Sequence, residues 1–152
     1  MPYKVFISYS TKDIEKLNHV RNTLQESAIE VFAAEYNLDP GESLSETIIA
    51  AIRNCDIFIL LWSTNSKESE WVPQEIGIAK SSNRKILPIV LEPDIALPGF
   101  ISNLKYLNAH SDPEKALEWL RSNIFKKAEE KQKNDGLFWL GLGSAILWLI
   151  SK

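Results

Sequence analysis

Four short apolar runs recur along this chain, and the segments between them carry helical periodicity. The runs are Tyr3 to Ser8, Ile29 to Ala33, Ile57 to Trp62 and Ile86 to Leu91. Three of them are apolar enough to be buried strands, and β-branched residues suit a pleated, packed surface. After the first run, Ser10-Thr11-Lys12-Asp13 places a hydroxyl three residues before a carboxylate, a signature of a helix start. Ile14, Leu17, Val20 and Leu24 then repeat at helical spacing to about Ser27. Leu44, Ile48, Ile49 and Ile52 mark a second helix, and a third carries Trp71 and Glu75 to about Ser82. The stretch Ser63 to Ser69 reads as a polar loop before that helix. A connection containing Pro93, Pro98 and Gly99 leads to a weak fifth strand near Leu104 to Leu107, and Asp112-Pro113 opens the last helix, with proline in the first turn where its missing N–H costs little.

Strands alternating with helices in this way call for a parallel sheet covered on both faces. The expected fold is α/β: a flavodoxin-like five-stranded parallel sheet of order 2-1-3-4-5 with helices on both faces, plus a C-terminal hydrophobic helix. In such sheets ligands bind outside the carboxyl ends of the strands, where the strand order reverses. That point lies between the first and third strands. Ser8 to Ser10, the loop from Ser63 and the Trp71–Glu75 helix converge on it, and the turn containing Pro40-Gly41 follows the second strand to the same rim.

Residues 1–125 read as one domain, 126–135 as a charged linker or helix extension, and 136–151 as a separate hydrophobic helix. The charged stretch includes Lys126, Lys127, Glu129, Glu130, Lys131 and Lys133, whereas Gly136 to Ser151 has no charge. At ~1.5 Å per residue that uncharged helix spans about 24 Å, short of a ~30 Å hydrocarbon core. Trp139 and Trp148 near its ends resemble interfacial anchors, and Gly141 and Ala145 are spaced for close helix contact. The expected location is cytoplasmic, with this segment holding the protein on the cytosolic side of a membrane; a buried or subunit-packing helix is the other reading. Met1-Pro2-Tyr3-Lys4 runs straight into a strand without a secretory pattern.

A net charge of −3 offers no basic field for nucleic acid. The single Cys55 beside an apolar strand reads as a core residue, and His19 and His110 lack companions at metal spacing. Neither a GxGxxG after the first strand nor a Walker-type GK[ST] is present, so no conventional nucleotide cradle exists in the sequence.

The run Val5 to Ser10 (VFISYS) with Asp13 beyond it, the run Leu38 to Leu44 (LDPGESL), and Phe58 to Ala79 with Trp71 and Glu75 occur in an order that resembles the Toll/interleukin-1 receptor (TIR) domain, of the compact kind common in prokaryotes. The resemblance covers roughly Tyr3 to Phe125. Two departures stand out: Ala34 occupies a position often held by Asp, and no Phe-Trp pair marks the third box near the last helix.

The resemblance implies cleavage of the nicotinamide–ribose bond of NAD⁺, with Glu75 as the catalytic carboxylate. That bond breaks through an oxocarbenium-like sugar, which a carboxylate against the ribose stabilises. Glu75 is expected to face a cleft at a helix start. Substrate-binding expectations fall on Tyr9, Ser10, Phe32, Leu38 and Trp71, with no metal and no cofactor, NAD⁺ being the substrate. Four of these have a structural alternative: Ser10 as an N-cap, Trp71 as helix–sheet packing, Phe32 and Leu38 as core. The resemblance further implies self-association through the loop Glu35 to Ser43, a nucleotide product sensed by a downstream effector, and a role in prokaryotic antiviral defence. The alternative is a non-catalytic TIR interaction module that signals by self-association. A response-regulator reading fails because no acidic pair follows the first strand.

Overall fold

A computed structural model describes the backbone of residues 1–34 and 43–150 and the side chains of these up to Asp135. Leu38, most of the expected docking loop and the side chains of the uncharged C-terminal segment lie outside the described residues. The strands are β1 (Tyr3–Ser8), β2 (Ile29–Ala33), β3 (Ile57–Trp62), β4 (Ile86–Val90) and β5 (Leu107–Asn108). They form one parallel sheet of order β2-β1-β3-β4-β5. The helices are α1 (Ile14–Thr23), α2 (Glu46–Arg53), α3 (Thr64–Glu68), α4 (Val72–Ser81) and α5 (Pro113–Ile150).

Successive side chains of a strand point to opposite faces, so a strand covered on both sides feeds two separate cores. One core takes Val5, Ile7 and Tyr9 from β1 and its exit, with Ile57, Ile59 and Leu61 from β3. These pack under Leu17, Val20 and Leu24 of the α1 region and Leu120, Ile124 and Ala128 of α5. The other takes Phe6, Phe58, Leu60 and Trp62, under Ile48 and Ile52 of α2 and Val72, Ile76 and Ala79 of α4. Phe6 stacks between Phe32 and Phe58, with centroids 5.5 and 5.4 Å away.

Three boundaries differ from the sequence expectation. α1 ends at Thr23 rather than near Ser27, because Leu24 already turns its N–H onto Val20 and Arg21 as the cap. The stretch expected to be loop contains α3, started by Ser63 Oγ, which accepts from Ser66 N–H at 3.2 Å. The fifth strand forms at Leu107–Asn108, because Leu104 closes a turn onto Ile101 instead of joining β4. α4 ends where Asn83 adopts φ 56°, letting Asn83 N–H reach Lys80 and Arg84 N–H reach Ala79, a closing turn that asparagine tolerates better than most residues.

Residues 126–135 continue α5 without a break. Lys131 Nζ lies 2.8 Å from Asp56 Oδ2 and donates to Pro2 O at 3.0 Å, while Asp56 Oδ2 also accepts Lys4 N–H at 2.8 Å. One carboxylate thus joins α5 to the amino ends of β1 and β3. Replacing Asp56 by Ala removes a charge-assisted acceptor from a part-buried backbone N–H and an ammonium. It is expected to lower unfolding stability by about 1–3 kcal/mol, read as a reduced urea midpoint, with the far-ultraviolet circular dichroism unchanged.

Candidate functional site

The carboxyl ends of β1 and β3 bear a cluster of polar groups that the fold has taken out of water. Ser8, the last residue of β1, has the same parity as Phe6, so its side chain points toward α4. There its Oγ donates to Glu75 Oε1 across 2.6 Å. Both residues are fully buried. Glu75 reaches this place because α4 starts late: Ser69 Oγ accepts Trp71 N–H at 3.2 Å and Val72 N–H at 3.3 Å, and Glu75 N–H donates to Trp71 O at 3.0 Å. The carboxylate therefore sits in the first turn of α4, where the helix dipole favours negative charge.

Beside this pair lies a second polar group centred on Asp13. Its Oδ2 accepts Ser63 Oγ–H at 2.6 Å and its Oδ1 accepts Asn65 Nδ2–H at 3.0 Å. Ser66 Oγ donates to Leu61 O at 2.5 Å. These bonds tie the segment after β1 to the segment after β3. Thr64 and Glu92 join the same turn to the end of β4 through the Thr64 backbone N–H, at 2.7 Å, and its hydroxyl.

The described site residues expected from sequence separate into four places. Ser10 and Trp71 come together, lining a cleft of ≈ 220 Å³ with Lys12, Asn65, Glu68 and Ser69. Ser10 also caps the short 3-10 turn Thr11–Asp13, its Oγ accepting Lys12 N–H at 3.3 Å, and Trp71 is half-buried against the α2/α4 core. Glu75 adjoins this region in sequence but does not open onto solvent: expected to face a cleft, the carboxylate is instead 0% exposed, because α4 lays that side of its first turn on the end of β1.

Tyr9 and Phe32 do not join them. The parity of β1 sends Tyr9 to the face opposite Ser8, where it packs with the α1/α5 core and its hydroxyl donates to Ala34 O at 2.7 Å. Phe32 stacks on Phe6 and lines a groove of ≈ 230 Å³ with Lys4, Val5, Thr47, Ala50 and Asn54, toward the amino ends of the strands. Leu38 lies outside the described residues. Sequence reasoning passed over Ser8 as a partner for Glu75, and Asp13 as a partner for Ser63 and Asn65. The first was available by counting two positions on from Phe6; the second, a contact across 50 residues with Ser63, had no local signal.

A model of the TIR domain family matches residues 5–121. Human Toll-like receptor 1 is 33% identical over 155 residues, which take in 96% of this chain and 18% of the receptor. A NAD(+) hydrolase from Paracoccus denitrificans is 30% identical over 96 residues, or 58% of this chain and 31% of that protein. The chain thus spans well under half the length of either relative. Among solved structures, the TIR domain of a Toll-related receptor from Hydra magnipapillata superposes with a TM-score of 0.65 at 25% identity, covering 82% of this chain and 97% of that one.

At the opposite end of the sheet, the thiol of Cys55 is a candidate nucleophile by residue type alone. Burial, reinforced by the Asp56 carboxylate and partly offset by Arg84, pushes it from 9.0 up to about 11. It is therefore a neutral thiol at physiological pH and inert toward electrophiles. Below pH 9 the thiol is protonated in both states and contributes no pH dependence. Between about 9 and about 11 only the unfolded chain loses the proton, so stability falls as pH rises. At pH 8 the folded protein is expected to resist iodoacetamide, and the thiol to react fully once urea unfolds the chain, as intact-mass measurement will show.

Proposed function

The chain belongs to the TIR domain family, and from that premise we propose that it is a NAD⁺-cleaving TIR enzyme that breaks the nicotinamide–ribose bond. The observation that carries the reading is the placement of Glu75, a carboxylate in the first turn of α4 at the carboxyl end of a parallel sheet, held by a hydroxyl at 2.6 Å. A carboxylate in such a place supplies fixed negative charge against an oxocarbenium-like ribose, and in a site closed to water that charge acts with little dielectric loss. Nicotinamide leaves as a neutral molecule, so no general acid is required. Trp71 and Ser10 line the neighbouring cleft, which offers an aromatic face and a hydroxyl to the substrate. The similarity to the Paracoccus hydrolase supports the same chemistry.

In this protomer Glu75 is fully buried, so substrate reaches it only after a rearrangement. We assign that rearrangement to assembly of TIR domains. On this reading turnover per protomer rises with protein concentration, and a protein shown to be monomeric yet fully active at every dilution is the contrary result. Product release to a downstream sensor and a place in prokaryotic defence extend the reading. So does attachment to a membrane through residues 136–151; no helix among the described residues is long and apolar enough to cross a membrane.

A second reading, an interaction module without chemistry, is favoured by the similarity to Toll-like receptor 1 across 96% of the chain. Glu75→Gln separates the two. The amide keeps the size of the buried side chain and removes its negative charge, so the domain is expected to stay folded while NAD⁺ cleavage falls by on the order of 10²-fold or more. Glu75→Ala is the harsher change: it leaves a cavity and an unpaired Ser8 hydroxyl, costing about 2–4 kcal/mol. Equal nicotinamide release by wild type and Glu75→Gln rejects the catalytic role, and no release by assembled wild type establishes the module.

A further inference from the structure

We infer that Ser8 is a positioning residue for the Glu75 carboxylate, holding it in the orientation that meets the ribose. The inference rests on the NAD⁺-cleavage reading and adds to it a residue outside the expected substrate contacts. Ser8 is the final residue of β1 and pairs with Leu60 of β3, and the ladder to β2 reaches Ile7 immediately before it, so its backbone is held at the centre of the sheet. Its side chain is 0% exposed, and a hydroxyl taken fully out of water needs a partner of its own. That partner is Glu75 Oε1 at 2.6 Å, a charge-assisted length.

The chemistry makes this bond matter. A flexible glutamate has three side-chain torsions, and a carboxylate that stabilises an oxocarbenium ion has to be pre-set, because reorientation during the reaction adds to the barrier. A donor on the rigid central strand occupies Oε1 and thereby fixes the carboxylate plane. The residues on either side of Ser8 cannot substitute for it: Ile7 and Tyr9 point to the other core. Polar packing alone does not account for the residue, since the same depth on the same face is filled by Phe6, Phe58 and Leu60. An apolar side chain at the end of β1 would complete that core, but it would leave the buried carboxylate without this donor.

The test compares wild type, Ser8→Ala and Ser8→Thr as full chains at a concentration where wild type is assembled, measuring nicotinamide release against NAD⁺ concentration and thermal unfolding in parallel. The expected result for Ser8→Ala is a kcat lowered about tenfold to a hundredfold with KM within about twofold, since the hydroxyl does not touch substrate. Ser8→Thr, which keeps the hydroxyl, is expected to recover most of the lost kcat. A Ser8→Ala variant with wild-type kcat overturns the proposal, as does a loss that appears in KM alone. If the alanine variant does not fold, the threonine variant decides: a folded threonine variant as slow as Glu75→Gln overturns it, and near-wild-type kcat upholds it. Absence of nicotinamide release by wild type is a separate outcome that removes the NAD⁺-cleavage reading itself, and the positioning role with it.

Discussion

The alternation of side chains along β1 governs most of what this molecule is. A central strand of a parallel sheet has no wet face, so each residue must commit to one of two cores. Val5, Ile7 and Tyr9 go to α1 and α5, whereas Phe6 and Ser8 go to α2 and α4. The strand ends at the point where the hydrophobic demand of the second core is nearly met, and a serine can stand in the next place. Glu75 is able to enter the protein there because a donor awaits it. Shifting β1 by one residue would put a tyrosine under α4 and a serine among leucines, and both cores and the polar site would fail together.

Burying Glu75 runs against the stability of the domain. A carboxylate withdrawn from water without donors costs several kcal/mol, and hydrogen bonds offset this only in part. An apolar pair at Ser8 and Glu75 would fill the same volume at less cost, as Phe6 and Ile76 do nearby. Sites that depart from the economical choice are where proteins tend to do chemistry or recognition. The Asp13–Ser63–Asn65 bonds spread the same pattern across the ends of β1 and β3, and they brace the two segments whose mutual position sets the cleft under Trp71. The opposite end of the sheet is also braced by a carboxylate, Asp56, but there it accepts from an ammonium and a backbone N–H.

Periodicity and β-branching in the sequence were enough to give the sheet, its order and the limits of β1, β2 and β3 to the residue, because those strands are bounded by strong local signals. Local signals were weaker elsewhere. α3 is only five residues long and polar, so its helicity depends on Ser63 and Ser66 rather than on any apolar stripe. The C-terminal end of α1 was set by one cap, and β5 by the place where the chain first meets the edge of β4. Of the residues expected to bind substrate, Ser10 and Trp71 meet in one cleft, since each adjoins a strand end. Tyr9 and Phe32 lie elsewhere, because proximity along the chain does not reveal the face to which a side chain turns.

What the sequence by itself determined is the class of fold and, through it, the region where a ligand is expected: hydrophobic period distinguishes strand from helix, and parallel topology directs ligands to the carboxyl ends of the strands. It also singled out Glu75 by its residue type and its place after a buried strand. Only the tertiary structure decided that this carboxylate is enclosed, that Ser8 holds it, and that Asp13 answers to Ser63 and Asn65 rather than to its own helix. The reason is physical. Backbone preferences and hydrophobic periods are local and additive, so a linear reading captures them. Burial and hydrogen-bond partnership depend on which distant segments close over a group, and Ser8 and Glu75, 67 residues apart, meet only when the sheet has formed.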